Sequence, residues 1–148
     1  MMKNLFQILC GLFLVVSYSS CMHSEEDKVD VLIIGGGASG VTSGIQSARM
    51  GANTLILEES TWLGGMLTSA GVSAVDGNYR LPAGLWGEFK NRLSDYYGGL
   101  DSLKTGWVSN VLFEPSVGNK ILHEMVAAEN NLKVWKQACL EEVKRTGD

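Results

Sequence analysis

Gly35, Gly37 and Gly40 stand at GxGxxG spacing, and an acid, Glu58, follows about 20 residues later at the end of an apolar run. Together these residue types can hold two linked phosphates and a sugar. In this pattern Gly35 makes a tight turn, Gly37 leaves room for a pyrophosphate, and Gly40 lets a helix pack closely on the preceding strand. The amides of Ala38 and Ser39 lie in the same turn, where a helix start presents unpaired N–H groups and its positive dipole end to an anion. A carboxylate at Glu58 can accept hydrogen bonds from both hydroxyls of a ribose.

The elements needed to position these groups are readable around them. Val31-Leu32-Ile33-Ile34, preceded by Asp30, reads as a strand buried on both faces. From Ala38 to Met50, Val41, Ile45 and Ala48 recur at helical spacing, and Gly51 follows where a helix-terminating glycine belongs. Thr54-Leu55-Ile56-Leu57 reads as a second buried strand, ending in Glu58. Strand, glycines, helix, strand and acid form one βαβ unit, which makes a dinucleotide the expected ligand rather than a chance glycine turn. The expected fold class is α/β, a Rossmann-like FAD/NAD(P)-binding domain with a parallel sheet.

Beyond the acid the chain reads Leu63-Gly64-Gly65-Met66-Leu67-Thr68, a second glycine pair that an NAD domain does not require. From Asp30 to Ala70 the sequence resembles the large FAD-dependent oxidoreductases of the glutathione-reductase-like fold, in which such a pair follows the βαβ unit. The stretches Gly84-Leu85-Trp86-Gly87-Glu88-Phe89 and Phe113-Glu114-Pro115-Ser116 are similar to a secreted or lipid-anchored bacterial branch of those enzymes. The resemblance implies FAD as cofactor. It also implies that Gly64, Gly65 and Thr68 lie near the ADP pyrophosphate or on the flavin side of it. Flavin chemistry asks little of side chains, and the catalytic residues are not readable from the sequence.

The first residues read as a processing signal. Lys3 precedes an apolar stretch from Leu5 to Val16, too short for the roughly 20 residues that a spanning helix needs, and Ser17, Ser19 and Ser20 lead to Cys21. Residues 1–20 are thus expected to be a signal peptide and Cys21 a lipidation site, with Tyr18 departing from the leucine usual in a lipobox. Residues 21–29, with Glu25, Glu26 and Asp27, read as a solvated tether holding an exported domain to a bacterial membrane. Residues 30–148 are then the N-terminal part of the FAD-binding domain, with a cap or insertion region beginning at about 70–115.

Composition suits a folded domain behind that signal: 45% of residues are hydrophobic and 19% charged. The formal net charge of −4 argues against a nucleic-acid partner. Of the three cysteines, Cys10 lies in the signal and Cys21 at its end, which leaves Cys139 unpaired and expected to pack as an apolar residue. No spacing suggests a metal site, and neither His23 nor His123 sits in a catalytic pattern. Asp76, Glu88 and Glu114 read as unpaired carboxylates without a visible role.

Leu85, Trp86, Phe89, Leu93 and Tyr96 predict a helix over about 84–97 with a core-facing stripe, followed by a loop carrying Trp107. Trp107 and Tyr97 are expected to pack the core or line a substrate cavity. Pro115 and Ser116 open a further helix, Leu132 to Trp135 can be a third parallel strand, and Leu140 to Lys144 can begin a hairpin whose turn starts at Thr146-Gly147-Asp148. A hairpin stopping in its turn predicts that the chain lacks its closing strands and the catalytic half, and is by itself poorly soluble with negligible flavin retention. Two other readings stay open: an NAD-dependent dehydrogenase fragment, and a non-catalytic truncated lipoprotein. Substrate and oligomeric state are unknown at this level.

Overall fold

The computed structural model of the chain describes residues 28–147; the signal, Cys21 and most of the tether lie outside the described residues. Three strands form one parallel sheet in the order β1 (Val31–Ile34), β2 (Thr54–Glu58), β3 (Leu132–Lys136). The register runs Val31↔Thr54 to Ile34↔Leu57, and Thr54↔Leu132 to Glu58↔Lys136. Among the described residues three α-helices accompany them: α1 (Ala38–Arg49) between β1 and β2, then α2 (Gly84–Tyr97) and α3 (Pro115–Ala127) between β2 and β3. This is the expected α/β, Rossmann-like arrangement with a parallel sheet.

Each helix ends for a local reason. Gly51, at φ +95°, stops α1, Gly98, at φ +78°, stops α2, and Pro115 opens α3 without losing an amide that the helix needs. Asn131, just before β3, donates its side-chain amide to the carbonyls of Ala48 (2.9 Å) and Ala52 (2.8 Å), fastening the end of α1 to the sheet.

The core lies on one side of the sheet. Strand residues alternate faces, and paired Ile33, Ile56 and Val134 pack beneath Val41, Ile45 and Ala48 of α1. Gly44 permits the close approach: a β-carbon there would sit 2.7 Å from Ile56 Cδ1 and 3.3 Å from Leu132 Cδ1. Phe89 and Leu93 of α2 and Ile121, Leu122, Met125 and Val126 of α3 close this core together with Leu63 and Leu103. Phe89 meets Phe113 edge-on with ring centroids 5.5 Å apart.

Several sequence expectations are corrected. β1 is not buried on both faces: Leu32 is 47% and Ile34 53% exposed, because among the described residues the helices that cover the sheet pack on the opposite face. Tyr96 is exposed, the core stripe of α2 ending instead on half-buried Tyr97, one turn beyond Leu93. Trp107 is 97% exposed and does not pack in the core. Residues 140–144 form no strand, since no strand among the described residues pairs with them and a lone strand leaves its backbone groups unmatched. Cys139 is exposed rather than packed, because the chain leaves the sheet edge after β3.

Two of the carboxylates read as unpaired have structural partners. Glu88 binds Arg49 (2.9 Å) and Arg92 (3.0 Å), and Arg49 also binds Glu129 (2.7 Å), a network that raises the Arg49 pKa chiefly through its hydrogen bonds to Glu129 and Glu88. The Glu114 carboxylate accepts a hydrogen bond from the Tyr97 hydroxyl, and the Glu114 N–H donates to that oxygen at 3.0 Å.

Candidate functional site

The site is assembled where β1 ends. Gly35 turns the chain at φ +95°, and its N–H still bonds the Leu57 carbonyl at 2.8 Å, so the turn begins while the sheet is intact. Gly37 then stands at the N-cap of α1 in extended conformation, and no side chain caps the helix. The first-turn amides of Ala38, Ser39 and Gly40 therefore point outward without an intrahelical acceptor. A β-carbon on Gly40 would overlap the Gly35 carbonyl oxygen, which is how closely the helix start abuts the turn. A β-carbon on Gly37 would meet no protein atom, so nothing inside the fold demands a glycine there; the space in front of it is open.

The second glycine pair closes the other side. Gly64, in the left-handed region at φ +106°, donates its N–H to the Gly36 carbonyl at 2.8 Å and pairs with Gly37 as a parallel bridge. A β-carbon on Gly65 would lie 3.1 Å from the Gly37 α-carbon. Two segments about 30 residues apart thus meet backbone to backbone, an approach that side chains would block.

Glu58 reaches this junction from the end of β2. Its Oε2 accepts the Gly36 N–H at 2.6 Å and its Oε1 the Ser60 N–H at 2.8 Å. Burial works against the charged form, but the hydrogen bonds from Ser60 and Gly36 prevail and hold the carboxyl below its ordinary value. The carboxylate is therefore ionised near neutral pH and accepts only, with lone-pair sites left over. Beside it, a groove of about 200 Å³ runs between Ile34, Gly35, Leu57, Glu58, Cys139 and Leu140. The Ala138 N–H, bonded to the Glu58 carbonyl at 3.1 Å, holds that last segment against β2.

The structure thus brings together Gly35, Gly37, Ala38, Ser39, Gly40, Glu58, Gly64 and Gly65. Thr68 stands one layer behind: it is 1% exposed, and its hydroxyl donates to the Leu63 carbonyl at 2.5 Å. It braces the glycine turn rather than facing the open space. Two contributors escaped the sequence reading. Gly36 carries both bonds that tie the loops to each other and to Glu58, and the uninterrupted Gly35-Gly36-Gly37 run was the available signal. Asn119 of α3 accepts the Leu63 N–H at 2.8 Å, and nothing in its local sequence announces that role. His123 of the same helix is half-buried, with burial and the nearby Lys136 lowering its pKa.

Residues 30–148 match the family described as FAD dependent oxidoreductase. No curated protein matches the chain. Among solved structures the chain is similar to THI4 of Thermovibrio ammonificans, at 18% identity over 88% of this chain and 45% of that one, with a TM-score of 0.43. It is also similar to p-nitrophenol 4-monooxygenase PnpA of Pseudomonas putida DLL-E4, at 14% identity over 80% of this chain and 34% of that one, with a TM-score of 0.45. Histamine dehydrogenase of Rhizobium sp. 4-9 is similar at 15% identity over 82% of this chain and 13% of that one, with a TM-score of 0.40. The chain spans less than half the length of each of these proteins.

Proposed function

The chain belongs to the FAD dependent oxidoreductase family, and on that premise we propose that its two glycine loops and Glu58 bind the ADP half of FAD in a flavin-dependent oxidoreductase. The observation that carries this reading is the meeting of Gly35-Gly36-Gly37 with Gly64-Gly65 at the uncapped start of α1. The amides of Ala38, Ser39 and Gly40 would hold the pyrophosphate, and the open space at Gly37 is where its oxygens fit. Glu58 would accept the ribose hydroxyls on lone pairs not used by Gly36 and Ser60, and the groove beside it would take the adenosine end. When bound, FAD supplies the capacity to take up a hydride or electron pair from a substrate. The role of these residues is to bind and orient it. Cys21, outside the described residues, is proposed to carry the lipid that keeps the domain at the exported side of a membrane.

Titration of a full-length protein carrying these glycine loops and Glu58 with FAD and with NAD+, followed by calorimetry, tests the assignment. FAD should bind at least about tenfold more tightly, and Gly37→Val should weaken it by at least about tenfold while leaving the melting temperature unchanged. NAD+ binding as tightly as FAD, or undiminished FAD affinity in Gly37→Val, would overturn the reading.

A further inference from the structure

A second cavity, of about 360 Å³, lies between the Tyr79–Pro82 loop, α2, the turn at Leu100–Lys104 and Asn110–Val111. It shares no lining residue with the groove beside Glu58. Its walls join apolar Pro82, Leu100 and Val111 to three cations, Arg80, Lys90 and Lys104.

Lys90 is the unusual member. It sits on the buried stripe of α2 and is only 7% exposed, a degree of burial that lysine rarely reaches without a charged partner. Its ammonium donates to the carbonyls of Tyr79 (2.7 Å) and Leu81 (3.0 Å), and it stands 6.0 Å from the Trp86 ring centroid. Those acceptors are neutral, one N–H donor remains, and among the described residues no carboxylate pairs with this charge. A buried ammonium without a counter-charge is costly.

Arg80 is likewise without an acid partner among the described residues. Its Nε donates to the Tyr79 hydroxyl at 3.2 Å and its Cζ lies 5.5 Å from the Tyr79 ring centroid, so the guanidinium is held in place with its terminal N–H groups available. Lys104 is partly neutralised by exposed Asp101 at 2.9 Å. Arg80 and Lys90 therefore give the cavity a positive charge that the described residues do not balance.

We propose that this cavity binds a small organic oxyanion, its carboxylate or phosphate head held by Arg80 and Lys90 and its apolar body resting on Pro82, Leu100 and Val111. The volume falls at the lower end of small-molecule pockets, roughly 300–1,000 Å³. The guanidinium fork suits either planar carboxylate or phosphate oxygens. The inference does not rest on the flavin reading, because the two sites have no residue in common.

The test is ligand-observed NMR on the full chain with benzoate, phenyl phosphate and, as a neutral control, benzamide. Benzoate or phenyl phosphate should bind saturably, the tighter of the two identifying the head group, while benzamide should bind at least tenfold more weakly. Exposed Arg80→Gln should weaken the anion at least tenfold without changing the melting temperature. Arg145→Gln, at an exposed cation outside the cavity lining, should leave it unaltered. Lys90→Met should also abolish binding, and if it fails to fold, Arg80→Gln still decides the matter. Equal binding of benzamide and benzoate, no saturable anion binding, or undiminished affinity in Arg80→Gln would overturn the proposal.

Discussion

A β-carbon on Gly36 would sit 2.8 Å from Leu63 Cδ2 and 3.0 Å from Glu58 Oε2, whereas one on Gly37 would meet no atom of the protein. The first glycine serves the fold and the second the space outside it. The GxGxxG pattern singles out Gly37, where no protein atom requires a glycine, but it passes over Gly36, whose neighbours are brought in from β2 and the Leu63 turn. Glu58 was legible as an acid at a strand end; its bond to Gly36 depended on how far the loop folds back. That bond has a pH signature. The folded-state carboxyl titrates below its ordinary 4.5, so its contribution to stability is complete above about pH 4.5 and is lost as pH falls through the lower folded value. In urea denaturation from pH 7 to 2, Glu58→Gln should be about 1 kcal/mol less stable at pH 7 and should converge with wild type under acid conditions. A constant difference at every pH would show that the charge plays no part.

The elements divide in the same way. α1 announced itself by Val41, Ile45, Ala48 and Gly51, all local in sequence, and β2 and β3 by short apolar runs. α3 was legible as a helix but not as the support of the site. Leu122 lies against Gly64, Gly118 leaves room for Phe113 and Thr68, and Asn119 takes the Leu63 N–H, so one face of this helix fixes the second glycine loop. Asn119→Ala removes the acceptor and leaves a partly buried N–H unmatched, which costs about 1–3 kcal/mol. Hydrogen exchange should show the Leu63 and Gly64 amides losing protection in this variant ahead of those in β2. Uniform loss across the sheet would mean that α3 does not act on the loop.

At the level of the whole molecule, the described helices build the core on one side of the sheet, α1 and α3 packing on the strands and α2 packing against α3. The other side presents Leu32 (47% exposed), Ile34 (53%) and Trp135 (46%), registered across the strands as one apolar surface. Chain covering residues 28–147 is expected to bind a hydrophobic dye through this face, and Ile34→Thr with Trp135→Thr should reduce that fluorescence at least severalfold while leaving the far-UV circular dichroism unchanged. Equal dye binding by the variant would place the adhesive surface elsewhere. An unbroken Val-Leu-Ile-Ile run looks the same whether a second layer covers it or not, which is why double burial of β1 was expected and is not what the structure has. By itself the sequence determined the βαβ unit, the helix starts and stops, and that Gly35, Gly37 and Gly40 stand at the turn between β1 and α1 with Glu58 at the end of β2, because these follow from backbone conformation and contacts within a few residues. Only the tertiary structure decided that Gly64 meets Gly36, that Asn119 and Thr68 stand behind that contact, that Lys90 is buried with no acid beside it among the described residues, and which face of the sheet the described helices leave uncovered. Those facts depend on the distance between segments far apart along the chain, and no local spacing encodes that distance.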